Sequence, residues 1–401
     1  MMIDTIKLIR DSILAETISF QEYIHCNPEL SFCEENTAKF VNYILNREGI
    51  ITYRNYAPNS VVAVVEGCLP TAKKPACVAL RADMDALPIT ESLNHAPRSQ
   101  KEGIMHACGH DIHTASLLGT ALILKKLENN FSGKVVFIFQ PAEEKLPGGA
   151  KTMIDNGLLR DFAPMLILGQ HVLPGLPVGS FGFCKGEYMA STDEIYIRFS
   201  GRGGHAATPD ITSNTVMALA EFVMSTQTIK QKSAKTSKPF VLSFGRLNAD
   251  GATNIIPNEA RAEGTFRCFD ELFRAEVKRK LHILANEIAP RYKCEAHLKI
   301  VDGYPFVLNN PEFTDYCMQI AADFSGADRV VRLEPRLTAE DFGYFSHEIP
   351  AVFYRMGIAA DGKGVTNLHN PDFDHSPAAL KDAPAMMAWL AMKLVNDFPA
   401  K

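Results

Sequence analysis

The chain has 401 residues, 46% apolar and 22% charged, with a formal net charge of -5. That length exceeds what one hydrophobic core usually serves and points to two domains. Mild acidity without a Lys/Arg run argues against nucleic acid and anionic membrane as partners, and no apolar stretch approaches the roughly 20 residues that cross a bilayer.

The N-terminal stretch carries apolar residues at Ile6, Ile9, Ile13, Leu14 and Ile18, which predicts a helix over 3–24 ending at Asn27-Pro28. Asp4, Lys7, Arg10 and Asp11 interrupt it, so it is not a secretory signal. Nine cysteines, an odd number without paired spacing, suit a reducing compartment. The expected location is cytoplasmic. A second helix is predicted over 35–47, then Val-rich strands over 60–66 and 76–81. A helical pattern over 115–127 and a buried strand over 134–139 follow, then a short helix over 150–156 and an apolar run over 165–168.

Beyond residue 187 the pattern changes. Strand-like alternation over 193–199 leads to a glycine turn over 200–205 and a helix over 213–229. Strands over 238–247 and 260–269, a helix over 270–288 and a strand over 293–301 complete a βαββαβ order, the ferredoxin-like pattern. The expected fold class is α/β. A mostly parallel-sheet domain over 1–187 and 304–401 holds the site, and a ferredoxin-like domain over 188–303 is inserted in it.

The densest chemistry is His106-Ala107-Cys108-Gly109-His110-Asp111-Ile112-His113-Thr114, with a thiol, three imidazoles and a carboxylate in nine positions. Cys and His are preferred zinc ligands. In parallel α/β sheets, ligands bind outside the carboxyl ends of strands. Asp83 and Asp85 follow one predicted strand, Glu143 and Glu144 a second, His171 a third, and His369 follows a fourth over 351–355. Cys108, His110, Glu144, His171 and His369 are therefore candidate ligands. They exceed what one four-coordinate ion takes, so two ions of zinc, manganese, nickel or cobalt are expected. Glu143, beside Glu144, is a candidate general base. Asp83, Asp85, Asp111 and His113 could hydrogen-bond the ligating imidazoles from behind, or simply make a polar loop. His205 on its glycine turn, Asn254 and Arg267 are single polar residues in strand-like settings, and Arg suits a carboxylate. Cys108 as a nucleophile with a histidine base remains an alternative on these residues alone.

Together these segments resemble the metallopeptidase family of aminoacylases, carboxypeptidase G and succinyl-diaminopimelate desuccinylase. The resemblance is closest to its amidohydrolase branch of hippurate and indole-acetyl-amino-acid hydrolases. It is carried by HCNPELSF (25–32), RADMDALP (81–88), HACGHDIHT (106–114), FQPAEE (139–144), GQHV (169–172), GRGGHAATP (201–209), NIIPNEA (254–260), GTFRCFD (264–270), TAEDF (338–342) and LHNPDFD (368–374). The resemblance implies a di-metal catalytic domain and a lid domain that forms a homodimer. Cys108, His110, Glu144, His171 and His369 match the ligands, with Cys108 between the two metals, and Glu143 matches the general base. His205 matches a lid histidine that reaches the active site of the other subunit and steadies the oxyanion. Asn254 and Arg267 match positions that bind the substrate, Arg267 facing its carboxylate. Two departures stand out: Asn27 occupies a position where many relatives carry a second His, and Lys145-Leu146-Pro147 interrupts a glycine run.

The expected activity is metal-dependent hydrolysis of the amide bond of N-acyl-L-amino acids. A metallo-dipeptidase, a carboxypeptidase or an N-acetyl-diaminopimelate deacetylase is the alternative within the family. A cysteine hydrolase using Cys108 and a non-catalytic binding protein are the alternatives outside it.

Overall fold

Eight strands form the larger sheet, in the spatial order Ile51–Tyr53, Val61–Cys68, Ser132–Gln140, Cys77–Asp83, Leu166–Pro177, Ala351–Ala359, Phe181–Phe183 and Val330–Arg332. The computed structural model describes residues 1–53, 56–71, 75–92, 97–232 and 238–398. The central pairs are parallel: Cys77–Asp83 lies between Ser132–Gln140 and Leu166–Pro177, and Leu166–Pro177 pairs in turn with Ala351–Ala359. Antiparallel pairing is confined to the flanks. Central strands buried on both faces need continuous apolar sequence, and the Val, Ile, Leu and Phe runs supply it.

The helix His110–Lys126 packs against the sheet and against the helices Met2–Cys26 and Ala379–Asp397. Its burial runs all round, from His110 to Leu124, as expected for a helix enclosed in a core. Sequence periodicity placed its start at 115, because its first turn is polar. The turn is nevertheless buried, and the helix begins at His110. Gly109 makes the entry possible. Its φ is +80°, and a Cβ there would stand 2.8 Å from Val172 Cγ2.

The chain divides into two units. One comprises Met1–Tyr188, Leu308–Glu334 and Tyr344–Lys401; the other comprises Met189–Val307 and Pro335–Gly343. Each has its own apolar cluster. The smaller unit contains an antiparallel sheet in the order Val241–Asn248, Glu259–Arg267, Asp193–Ser200 and Glu295–Asp302. The helices Thr215–Lys232 and Glu271–Ile288 connect its strands in the βαββαβ order, and the inward Ile195, Ile197 and Phe199 share a core with Phe222, Val277 and Leu281. Asp193 is buried under a two-pronged contact from Arg274, with Nε and an Nη atom each 2.8 Å from a carboxylate oxygen.

The sequence reading returned the chain to the first domain at 304 and kept it there. In the structure the return comes at Leu308, and Pro335–Gly343 groups with the smaller unit. Backbone pairing accounts for this second excursion: Ala190 N–H donates to the carbonyls of Arg336 and Thr338, each at 3.0 Å, and Arg267 donates to the carbonyl of Leu337 at 2.9 Å. All nine cysteines are unpaired. Among the described residues no helix is long and apolar enough to cross a membrane.

The conformation of Gly109 makes Gly109→Ala costly. Urea denaturation is expected to show a loss of about 1–3 kcal/mol from the left-handed strain and the contact with Val172. An unchanged midpoint would contradict the geometry.

Candidate metal centre

Three side chains converge beneath the mouth of the larger sheet. Cys108 sits two residues before the buried helix, and its Sγ lies 3.6 Å from His171 Nε2. His110 opens the helix, with Nδ1 3.2 Å from Asp85 Oδ1. A carboxylate only accepts, so Nδ1 carries a proton held by Asp85 and Nε2 is the nitrogen that a metal would take. His171 is fixed the same way, since its Nδ1–H donates to the carbonyl of Val172 at 2.9 Å. Burial and the Arg355 guanidinium hold His171 well below the usual histidine range, so it stays neutral. Periodicity placed His171 after a strand over 165–168, whereas it lies inside Leu166–Pro177. Pairing with Ala351–Ala359, where His171 stands opposite Arg355, extends that strand past its apolar run.

The turn after Ser132–Gln140 adds two carboxylates, and His369 arrives from the loop beyond Ala351–Ala359. His369 has a φ of 60°, and its N–H donates to the carbonyl of Ala107 at 2.8 Å, which ties it to the Cys108 loop. Three sets of ligand atoms result, each within 4.8 Å of one another: Cys108, His110 and His171; Cys108, Glu144 and His369; and His110, Glu143 and Glu144. Cys108 belongs to two of them. His110 Nε2 and Glu144 Oε1 are buried without a hydrogen-bond partner. His369 Nε2 does lie 3.0 Å from Glu144 Oε1, but without the direction of a hydrogen bond. A thiol, three imidazoles and a carboxylate converging with unsatisfied lone pairs fit divalent transition metals.

The surrounding groups separate candidate ligands from supports. Asp83, His110 and His113 also cluster, but both His113 nitrogens are occupied. Nδ1 donates to Asp83 Oδ1 at 2.6 Å, and Nε2 accepts the Val172 N–H at 2.9 Å. His113 therefore has no lone pair to offer and instead fixes the strand next to His171. Asp83 is held in turn by Arg81 at 2.7 Å, and Arg81 by Gln140 at 2.9 Å. Asp85 supports more: besides His110 it accepts the N–H groups of Glu143 at 3.0 Å and Glu144 at 2.9 Å, and the Ser31 hydroxyl at 2.6 Å.

Asp111 faces another way. It accepts from Gln21 at 2.6 Å and from His25 Nδ1 at 2.8 Å, and the other His25 nitrogen lies 3.0 Å from Glu91. Burial opposes a charge on His25, but Asp111 and Glu91 outweigh it and raise the imidazole to about 10. Sequence reasoning quoted His25 within a motif and gave it no role; Glu91 was missed because its partner lies 66 positions away.

His205, Asn254 and Arg267 all lie in the smaller unit. His205 pairs with Ile255 in a short antiparallel ladder, and Ala206 N–H donates to the carbonyl of Asn254, which sets His205 and Asn254 side by side on an exposed edge. Arg267 ends the strand Glu259–Arg267.

Residues 79–393 match the model of peptidase family M20/M25/M40. The chain belongs to this family. Thermostable carboxypeptidase 2 of Saccharolobus solfataricus is 36% identical over 383 residues, covering 94% of this chain and 95% of that protein. The N-acetylcysteine deacetylase of Bacillus subtilis is 34% identical over 376 residues, covering 94% and 96%. The solved YXEP protein of Bacillus subtilis, a dinuclear metal binding peptidase of the M20 family, has a TM-score of 0.82 at 32% identity, covering 96% of this chain and 99% of that one. This M20 member is a metal-dependent hydrolase of carbon–nitrogen bonds, and its mixed eight-stranded sheet with a separate antiparallel unit is the family fold.

The raised His25 sets a pH dependence. Its folded value lies above the ordinary 6.5, so its contribution to stability is complete below about 6.5 and is lost as pH rises through about 10. Between pH 7 and 10 the urea midpoint of the parent is expected to fall further than that of His25→Gln. Parallel curves would show that His25 is not held as a cation.

Proposed function

We propose that the chain hydrolyses the amide bond of N-acyl-L-amino acids, releasing a carboxylic acid and an amino acid, with two divalent ions bound per subunit. The observation that carries this reading is the pair of ligand sets sharing Cys108, with Glu143 beside one of them. In this reading Cys108, His110, Glu144, His171 and His369 hold the ions. When bound, such ions polarise a carbonyl and lower the pKa of water from about 15.7 towards about 7.

Glu143 takes the proton of the attacking water while the water oxygen adds to the carbonyl carbon. It then gives that proton to the amide nitrogen as the C–N bond breaks, so one water is consumed and no charge is left over. Asp85 keeps Glu143 in place through its N–H. Motif positions support the remaining roles. His205 donates to the oxyanion, a contribution worth about 3–4 kcal/mol for one donor, and Asn254 and Arg267 hold the substrate, with Arg267 on its carboxylate. The same resemblance supports a homodimer through the smaller unit, so sedimentation is expected to give twice the chain mass of 44.2 kDa. The unpaired cysteines favour the cytoplasm.

The 36% identity to a thermostable carboxypeptidase favours a second reading, in which the scissile bond is a peptide. A panel of acetyl, benzoyl, indole-acetyl and aminoacyl derivatives, assayed with zinc, manganese, nickel or cobalt restored in turn, separates the two. Turnover of acyl but not aminoacyl substrates supports the first. A thiol hydrolase is disfavoured because Cys108 belongs to two ligand sets, which commits its sulfur to the ions rather than to a substrate carbonyl. Chelation decides that point as well: activity should vanish and return on adding metal.

Glu143→Ala is expected to bind metal like the parent and to lose about 10²–10⁴-fold in kcat, read by elemental analysis beside single-substrate kinetics. Full turnover in that variant would falsify the mechanism.

A further inference from the structure

Glu34 stands apart from the other buried acids of the larger unit. It precedes the helix Glu35–Arg47 and has no exposed surface. Neighbouring Glu29 is explained by that helix, since its carboxylate accepts from Asn36 and Thr37, both in the first turn. The Glu34 side chain instead reaches a segment 108 positions away, where its Oε1 accepts the N–H of Ala142 at 2.8 Å. Its Oε2 is buried with no hydrogen-bond partner. Burial and the nearby Asp85 carboxylate push Glu34 up to about 7, so a neutral side chain of the same shape is a fair substitute.

Ala142 is the residue before Glu143, and its φ is +54°, in the left-handed region that alanine seldom adopts. Such a conformation persists only where its surroundings impose it. Here three successive amides are gripped by two carboxylates: Ala142 by Glu34, and Glu143 and Glu144 by Asp85. The carbonyl of Ala142 takes the N–H of Gly149 at 2.9 Å, where a Cβ would lie only 1.7 Å from the Pro141 oxygen.

We propose that Glu34 is a positioning residue for Glu143: by accepting the Ala142 N–H it holds the left-handed bend from which Glu143 projects. This rests on Glu143 being the general base. A misplacement of about 1 Å at a reacting group can cost about 10²-fold in rate, whereas Cys108, His110, His171 and His369 come from other segments and Glu144, the one ligand on this turn, keeps its own amide on Asp85.

The test compares Glu34→Met, which keeps the volume and removes the acceptor, with Glu34→Gln, which keeps the acceptor. The readouts are kcat and KM for the fastest substrate of the panel above, metal content, and hydrogen–deuterium exchange of the 141–146 segment in the metal-free chain. Glu34→Met is expected to lower kcat by about tenfold to a hundredfold, with KM and metal content unchanged and exchange of the segment accelerated. Glu34→Gln is expected to restore both kcat and protection. In a Glu143→Ala background Glu34→Met should add little, since the two act through one group. The assignment is overturned if Glu34→Met turns over like the parent, loses metal or fails to fold, or if Glu34→Gln is as impaired as Glu34→Met. Turnover surviving in Glu143→Ala would overturn the base assignment, and this one with it. An inactive Glu143→Ala beside an unimpaired Glu34→Met overturns this one alone.

Discussion

The carboxylate of Asp85 is the hub of the catalytic unit. It accepts from the imidazole that opens the buried helix, from two consecutive amides of the Glu143–Glu144 turn and from Ser31. Three separated segments thus meet on one residue with no water-exposed surface to speak of. Hydrogen bonds to an ionised acceptor are about twice as strong as neutral ones, and burial removes competing water, so the donors cannot drift independently. Burial would raise Asp85, but His110, helped by Ser31 and the Glu144 amide, lowers it below the usual carboxylate value.

A second line of bonds does for His171 what Asp85 does for His110. Gln140 holds Arg81, Arg81 holds Asp83, Asp83 holds His113, and His113 accepts the amide of Val172, whose carbonyl fixes the His171 tautomer. Both candidate imidazoles therefore present Nε2 by virtue of what Nδ1 touches, which is how supporting residues prepare a histidine for a metal. The distinction between His113 and its neighbours is one of lone pairs. All three histidines are buried, but His113 spends Nε2 on the Val172 amide, whereas His171 turns it to Cys108 Sγ and His110 leaves it without a hydrogen-bond partner.

Much of this was legible in the sequence. The βαββαβ order followed from apolar alternation, and the strand-end positions of Asp83, Glu143 and Glu144 followed from Val-rich runs broken by polar residues. Local patterns failed where tertiary pairing overrode them. The helix at His110 begins in a polar turn that periodicity reads as loop, and His171 sits in a strand stretched by its partner rather than by its own composition. Residues 335–343 left their expected domain through backbone bonds that no side-chain pattern announces. Glu34 and Glu91 act across 108 and 66 positions, and nothing in their neighbours marks them.

The turn after Gln140 is pinned at both ends, by the carboxylates at 142–144 and by the Gly149 amide, with a glycine that tolerates no side chain. Lys145, Leu146 and Pro147 lie between the pins, closed off by a bond from Gly148 N–H to the Lys145 carbonyl. The segment is in effect an exchangeable cassette. None of the bonds that hold the two glutamates passes through the side chains of these three residues.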